Sequence, residues 1–339
     1  MNLRIGLAGC GWISRFHIEG WKLIPNVDVV AACDLNPSRA QDLTSRYGIP
    51  WAGEDAAKMI DECRLDILDI ATTPNSHKAL ALLAADRGRH VLCQKPAALS
   101  LADAEEMIRS AEAHRVVLYI NEMMRFCPWF ETTRQLLQTN SVGCVVFARL
   151  FSRMAGFLEV GLGHQVIYGA REFLKTTDRA LMLDETIHYL DVTRFLFGNP
   201  KSIYAITEHL SPALVGEDVA TIVLRYEGMT GIIEDSWSAH GPARSGFEIE
   251  GRDGALFLSH DKVLKLYSGQ TGGIERTWEY SATSWEEQRS SVFACLFEDF
   301  LKTIRSGSNF TAQARDNLET LRLTLAAYES AENGIEVKL

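Results

Sequence analysis

Apolar positions along the chain follow two regimes that change near residue 143. Before that point short apolar runs recur at Leu3 to Ala8, Val27 to Cys33, Leu65 to Ala71, His90 to Gln94 and Val116 to Ile120, with a shorter one at Ile49-Pro50-Trp51. Runs of this length bounded by turn residues predict buried strands. Helical spacing fills the intervals, around Pro37 to Tyr47, Asp55 to Cys63, Asn75 to Arg87 and, behind a Ser100/Asp103 capping box, up to His114. Six strands alternating with helices predict an α/β unit with a doubly wound parallel sheet. After residue 143 β-rich runs predominate: Cys144 to Phe151, Ser202 to His209, Val219 to Tyr226, Thr230 to Trp237, Phe247 to Gly251, Ala255 to Ser259 and Val263 to Tyr267. Turns such as Glu227-Gly228 and Arg252-Asp253-Gly254 join several of them, which predicts an antiparallel sheet in a second domain. Helices near Val292 to Arg305 and Ala314 to Asn333 close the chain, and the two domains are expected over 1–121 and 122–339.

Candidate chemistry lies at the carboxyl ends of the predicted strands, where open α/β sheets bind ligands. The first strand runs into Gly9-Cys10-Gly11-Trp12-Ile13-Ser14 and then a helix. Gly9 suits a tight turn, Gly11 allows a pyrophosphate to approach the backbone, and Ser14 is small and carries a hydroxyl. Amides at the helix start would face the phosphates. Asp34 closes the second strand 25 residues after Gly9. A carboxylate there accepts ribose hydroxyls and repels a 2′-phosphate, which favours NAD over NADP; the competing role is a helix cap. Arg39, further on, would soften the preference. Lys95 follows the run His90 to Gln94. Partial desolvation disfavours the ammonium form of such a lysine and suits it to proton exchange, although an ordinary surface lysine also fits the position. Asn75 and His77 share this edge: Asn75 either meets a nicotinamide or, like Ser76, caps a helix, and for His77 a structural role outweighs a nicotinamide contact.

One helix interrupts the second regime with Asp184, His188 and Asp191 at i, i+4 and i+7, a spacing that puts all three on one face. An imidazole beside a carboxylate is an oriented base; an ion-paired face or a sparse metal site are the other readings. The irregular stretch from Arg153 to Arg179, with His164, Tyr168 and Arg171, is either a substrate loop or a subunit contact.

Length and charge narrow the class. At 339 residues the chain exceeds a usual single core, and 44 acidic against 34 basic residues with no Lys/Arg run exclude a phosphate-backbone partner, so no nucleic acid is expected. Seven scattered cysteines with no C-x-x-C pair argue against disulfides and zinc, leave no metal site expected, and fit a reducing cytoplasm. No export signal or membrane anchor is expected, because the amino-terminal apolar run is short and glycine-broken and no run of 18 apolar residues follows.

The segments GCGWIS (9–14), ATTPNSHKAL (71–80), GRHVLCQKPAALS (88–100) and DETIHYLD (184–191), with Arg125-Phe126 before Pro128, together resemble the glucose-fructose oxidoreductase/inositol dehydrogenase/rhizopine catabolism family of nicotinamide-dependent sugar oxidoreductases. The resemblance implies a Rossmann domain followed by an α+β domain with a large, open, mostly antiparallel sheet, buried between subunits of a homodimer or homotetramer. It implies catalytic roles for Lys95, His188 and Asp184, with the immediate base left open between Lys95 and His188. Trp12, Ile13, Thr72, Thr73, Asn75, His77 and Gln94 would line the cofactor, and Met123, Arg125, Arg153, His164 and Tyr168 the sugar or polyol substrate. Three departures bear on these contacts. Gln94 replaces the usual glutamate, Met123 stands where asparagine is common, and Thr177 to Ala180 with Thr186 replace glycines near the histidine motif. Removing the charge at 94 is expected to let Lys95 lose its proton more readily. The activity implied is an NAD-dependent dehydrogenase acting on a secondary alcohol or hemiacetal of a sugar, sugar acid or cyclitol. A nicotinamide-sensing regulator and an NAD-using glycosidase are the alternatives.

Overall fold

The structure, a computed structural model, describes residues 2–155, 172–280 and 285–339. The chain divides into two compact units, one of residues 1–126 with 282–321, the other of 127–281 with 322–339.

In the first unit β1 (Leu3–Ala8), α1 (Ser14–Lys22), β2 (Val27–Cys33), α2 (Pro37–Tyr47), β3 (Trp51–Gly53), α3 (Ala56–Glu62), β4 (Ile67–Ile70), α4 (His77–Asp86), β5 (His90–Gln94), α5 (Leu101–His114) and β6 (Leu118–Asn121) alternate without a break. The strands form one parallel sheet in the order β3-β2-β1-β4-β5-β6. That order reverses beside β1, so the ends of β1 and β4 frame the crevice in which doubly wound sheets bind ligands. β4 is buried along its whole length and β5 from its second residue on, which explains their near-continuous apolar runs. The third strand starts at Trp51 rather than Ile49, because β2 pairs from Ala31 onward.

The long helix α8 (Trp285–Ser306) returns to this unit and not to the second, which a boundary after residue 121 leaves out. Its Phe293, Phe297, Phe300 and Leu301 complete a core with Ile5, Phe16, Trp21, Ile67 and Leu92. Trp21 and Phe297 stack at 4.2 Å between centroids. Gly20 makes this approach possible, since a Cβ there would lie 3.0 Å from both Phe293 Cβ and Phe297 Cε2. The returning segment also covers the open edge of the sheet. Phe310 O accepts the Leu118 N–H, while Gln313 accepts from Ile120 N at 2.7 Å and donates to Ile120 O at 2.8 Å, as a neighbouring strand would.

The second unit contains α6 (Pro128–Gln138), β7 (Val145–Arg153), α7 (Ile187–Phe197), β8 (Ser202–Glu208), β9 (Val219–Arg225), β10 (Thr230–Ser236), β11 (Arg244–Gly251), β12 (Gly254–Leu258), β13 (Val263–Ser268) and β14 (Ile274–Glu279). A last helix α9 (Ala312–Asn333), whose residues to Leu321 belong to the first unit and those from Arg322 to the second, and a short strand β15 (Val337–Lys338) follow. The nine strands form one sheet in the order β14-β13-β12-β11-β7-β10-β9-β8-β15, antiparallel except for the β7/β10 pair. Side chains alternate along it, with Ala148, Leu150, Ile222, Leu224, Ile233 and Ile249 on the buried face.

Candidate active site

The glycine loop leaves β1 at Gly9, whose φ is +96° and whose Cβ, if present, would lie 2.6 Å from the Ala71 carbonyl oxygen. Only glycine meets both demands. A Cβ on Gly11 would meet nothing within 4 Å, so the loop keeps open space beside its second glycine, as a pyrophosphate would require. Ser14 is closely packed, as its small size suggests. It is fully buried and its hydroxyl donates to Gly11 O at 2.5 Å, so it braces the loop instead of facing a phosphate.

At the end of β2 the two oxygens of Asp34 accept from Cys10 N and Asn36 N, both at 2.8 Å. The cap of α2 is Asn36, which accepts from Ser38 N, so Asp34 is not needed there. It ties β2 to the glycine loop, and each oxygen retains acceptor capacity for a ribose hydroxyl. Arg39 is exposed on the first turn of α2. Burial, then the Asp34 charge, push the Cys10 thiol up to about 12, so this loop cysteine is no nucleophile at neutral pH. Trp12 stands edge-on to Phe16 at 5.1 Å under the Arg289 guanidinium, and Ile13 packs on two core clusters. The residues present fit a dinucleotide.

β4 and β5 lie side by side and lead to the other half of this edge. Thr72 Oγ1 accepts from Ser76 Oγ, Thr73 and Asn75 are exposed, and α4 starts without a side-chain cap, so Asn75 is not held at its N-terminus. His77 is fully buried. Its Nδ1 lies 2.9 Å from Pro96 O and its Nε2 3.1 Å from Thr72 O, which leaves no ring nitrogen for a nicotinamide and makes it a clamp between two loops. Burial lowers its pKa, against the backbone groups of Thr72, Pro96 and Ala97 that favour the charged ring. Gln94 also departs from expectation. Its side chain turns into the core, with Nε2 2.7 Å from His17 Nε2 and Oε1 accepting from Lys95 N at 3.2 Å. Lys95 is half-buried at the turn that follows. Arg125 is ion-paired to Asp316 at 2.6 Å, and Met123 packs against the first core cluster.

In the second unit the histidine motif does not begin as an α-helix. Residues Met182–Thr186 form a π-turn before α7. A turn bonded i to i+5 inserts a residue into the spacing. Asp184 and His188 remain half-buried while Asp191 enters the core at 1 % exposure, so the three do not share one exposed face. Glu217, which has no sequence signature, anchors the turn. It accepts from Ala180 N at 3.1 Å, Met182 N at 2.9 Å and the Tyr328 hydroxyl at 2.6 Å. Glu185 accepts from Ser152 Oγ and Trp237 Nε1, and Thr186 donates to Asp235. These bonds fasten Met182, Glu185 and Thr186 of the turn to the sheet and to the loops at its edge, and so fix where Asp184 and His188 stand. Burial, then the Glu185 charge, hold the Asp235 carboxyl well above the ordinary range. Arg153 is exposed at the end of β7 and pairs with Glu234 at 3.6 Å. His164, Tyr168 and Arg171 lie outside the described residues. Among the described residues no group of three His, Cys, Asp or Glu is placed to hold a metal ion.

Comparisons with known proteins accord with this geometry. Residues 3–122 match the family described as "Oxidoreductase family, NAD-binding Rossmann fold", and residues 130–257 match the "GFO/IDH/MocA C-terminal domain". D-apiose dehydrogenase of Paraburkholderia graminis is 34% identical over 98% of this chain and 88% of its own. Myo-inositol 2-dehydrogenase of Thermotoga maritima is 26% identical over 99% and 98%. A solved oxidoreductase from Agrobacterium radiobacter, in complex with NAD+, L-tartaric acid and magnesium, superposes with a TM-score of 0.88 at 29% identity, covering 100% of this chain and 98% of that one. With both family domains in their expected places and a relative above 30% identity along nearly the whole length, the chain belongs to the GFO/IDH/MocA oxidoreductase family.

Proposed function

We propose that the protein is an NAD-dependent dehydrogenase that oxidises a secondary alcohol or hemiacetal of a sugar, sugar acid or cyclitol. The observation that carries the proposal is the carboxyl edge of the parallel sheet, where an open glycine loop, the Asp34 carboxylate and Lys95 stand at the ends of β1, β2 and β5. The sugar and cyclitol dehydrogenases among its relatives support the substrate class. In this reading NAD, when bound, supplies a hydride acceptor for the carbinol carbon. His188 takes the hydroxyl proton, Asp184 orients the imidazole, and the Lys95 ammonium donates a hydrogen bond to the reacting oxygen or relays the proton. Thr72, Thr73 and Asn75 stand at the cofactor edge, and Arg153 serves the substrate. Turnover of free NAD by the purified protein against a panel of pentoses, hexoses, sugar acids and inositols tests the assignment. Binding without turnover would support a sensing regulator, and glycoside cleavage without net NAD reduction a glycosidase.

NAD is expected to bind more tightly than NADP by about tenfold or more, because Asp34 would meet the 2′-phosphate with like charge. Equal dissociation constants in a fluorescence titration would remove Asp34 from the ribose.

The outward face of the nine-stranded sheet supports a homodimer or homotetramer. It carries Tyr204 and Ile206, 36 % and 50 % exposed, and its neighbouring outward positions include Phe147, Phe151 and Val223. Light scattering should report two or four chains, and Ile206→Glu with Val223→Arg should shift the protein towards single chains; a wild-type monomer at micromolar concentration would contradict this. The free thiols of Cys144 and Cys295 are exposed, which supports a reducing compartment such as the cytoplasm.

A further inference from the structure

Behind Lys95 lies a buried polar chain that the proposed chemistry does not use. His17 on α1 and Asp69 on β4 are both fully buried. His17 Nδ1 lies 2.9 Å from both Asp69 oxygens, and Trp21 Nε1 donates to Asp69 at 2.7 Å. On the other side of the ring, Gln94 Nε2 and Asn121 Nδ2 approach His17 Nε2 at 2.7 and 3.3 Å. Gln94 and Asn121 are register partners at the ends of β5 and β6. From α8 the rings of Phe293 and Phe297 close over the imidazole at 4.8 and 5.6 Å. Among these neighbours Asp69 is the only charged group.

We propose that His17 is a positioning residue for Lys95, acting through the Gln94 amide. The proposal rests on Lys95 being catalytic. The amide has one orientation that serves both of its ends, because its oxygen accepts the Lys95 N–H and its nitrogen must then donate to His17. His17 Nε2 is therefore bare and the ring proton sits on Nδ1, donated to Asp69. A proton on Nε2 would set N–H against N–H. Relief would come from turning the amide, which withdraws its oxygen from the backbone at Lys95. On the far side of the same turn His77 holds Pro96 O, so two buried imidazoles bracket the Lys95-Pro96 step. The charge at 94 is consequently not the main point of the Gln94 departure, because a glutamate there would face a ring nitrogen that has to be protonated to meet it.

The test uses the full chain with NAD bound. Nitrogen-15 NMR of the histidines should place the His17 proton on Nδ1 at neutral pH, and Gln94→Glu should convert that ring to the doubly protonated form. Gln94→Leu leaves the His17–Asp69 pair intact and should lower kcat about tenfold, with the Kd for NAD within about twofold. A wild-type ring protonated on Nε2, a ring unchanged in Gln94→Glu, or native kcat in Gln94→Leu would each overturn the proposal. If Gln94→Leu does not fold, the NMR comparison of wild type with Gln94→Glu decides alone. Lys95→Met, measured alongside, separates the two failures: native turnover there defeats the catalytic assignment of Lys95, whereas the His17 ring state still judges the link.

Discussion

Lys95→Met and His188→Ala should each lower kcat by about 100-fold or more, the usual scale for removing a positioned acid or base, while NAD affinity stays within a few-fold. Methionine keeps the length of the lysine stem and its packing at the half-buried turn after β5, but removes the donor. His188→Ala removes the ring from a helix start whose backbone is held independently by Glu217 and whose next-door side chains are held by Ser152, Trp237 and Asp235. The scaffold should therefore survive both changes, and steady-state kinetics on one confirmed sugar separates the roles. Near-native turnover in either variant removes that residue from the chemistry. A loss confined to KM would assign it to substrate binding.

The two loop glycines should fail in different ways. Gly9→Ala forces an L side chain to φ +96° and drives its Cβ to 2.6 Å from a backbone oxygen that cannot swing aside. Backbone strain alone costs about 1–3 kcal/mol, so Tm should fall by roughly 4 °C or more and NAD binding with it. Gly11→Ala adds a methyl that touches no protein atom. Its Tm should stay near native while the Kd for NAD rises by about tenfold or more, because the methyl enters the space reserved for the pyrophosphate. Calorimetry with and without NAD distinguishes them. A Gly11→Ala protein with native affinity would mean that the cofactor does not approach the loop there.

The sheet and the glycine loop were legible because local patterns encode them: apolar runs of strand length, turn glycines and the Ser100 cap all act within a few residues. What escaped depends on partners distant in sequence. The edge strand β14 reads IERTWE and is mostly exposed, so no alternation marks it. α6 opens with Pro128 directly after a compact 3-10 turn, and its N-cap Cys127 makes no side-chain cap bond, so no capping signal marks its start. The face predicted for Asp184, His188 and Asp191 assumed 3.6 residues per turn throughout, whereas Asp184 lies in a π-turn and Asp191 is buried in the regular helix that follows. Gln94 has the residue type of a ligand contact, yet it meets a buried partner 77 positions away. Glu217 could not be singled out, since its three bonds reach two elements that only the fold brings to it.

The late return of α8 has a consequence for biosynthesis. Phe16 and Trp21 are translated early, but the rings that cover them come from Phe293, Phe297 and Phe300. At about 5–20 residues per second the intervening chain takes tens of seconds to make, and throughout that interval the helix carrying His17 and the glycine loop has no lid. An arrested nascent chain ending before residue 285 should accordingly remain open to protease along α1 and recruit a holdase, whereas one extended past residue 306 should become resistant.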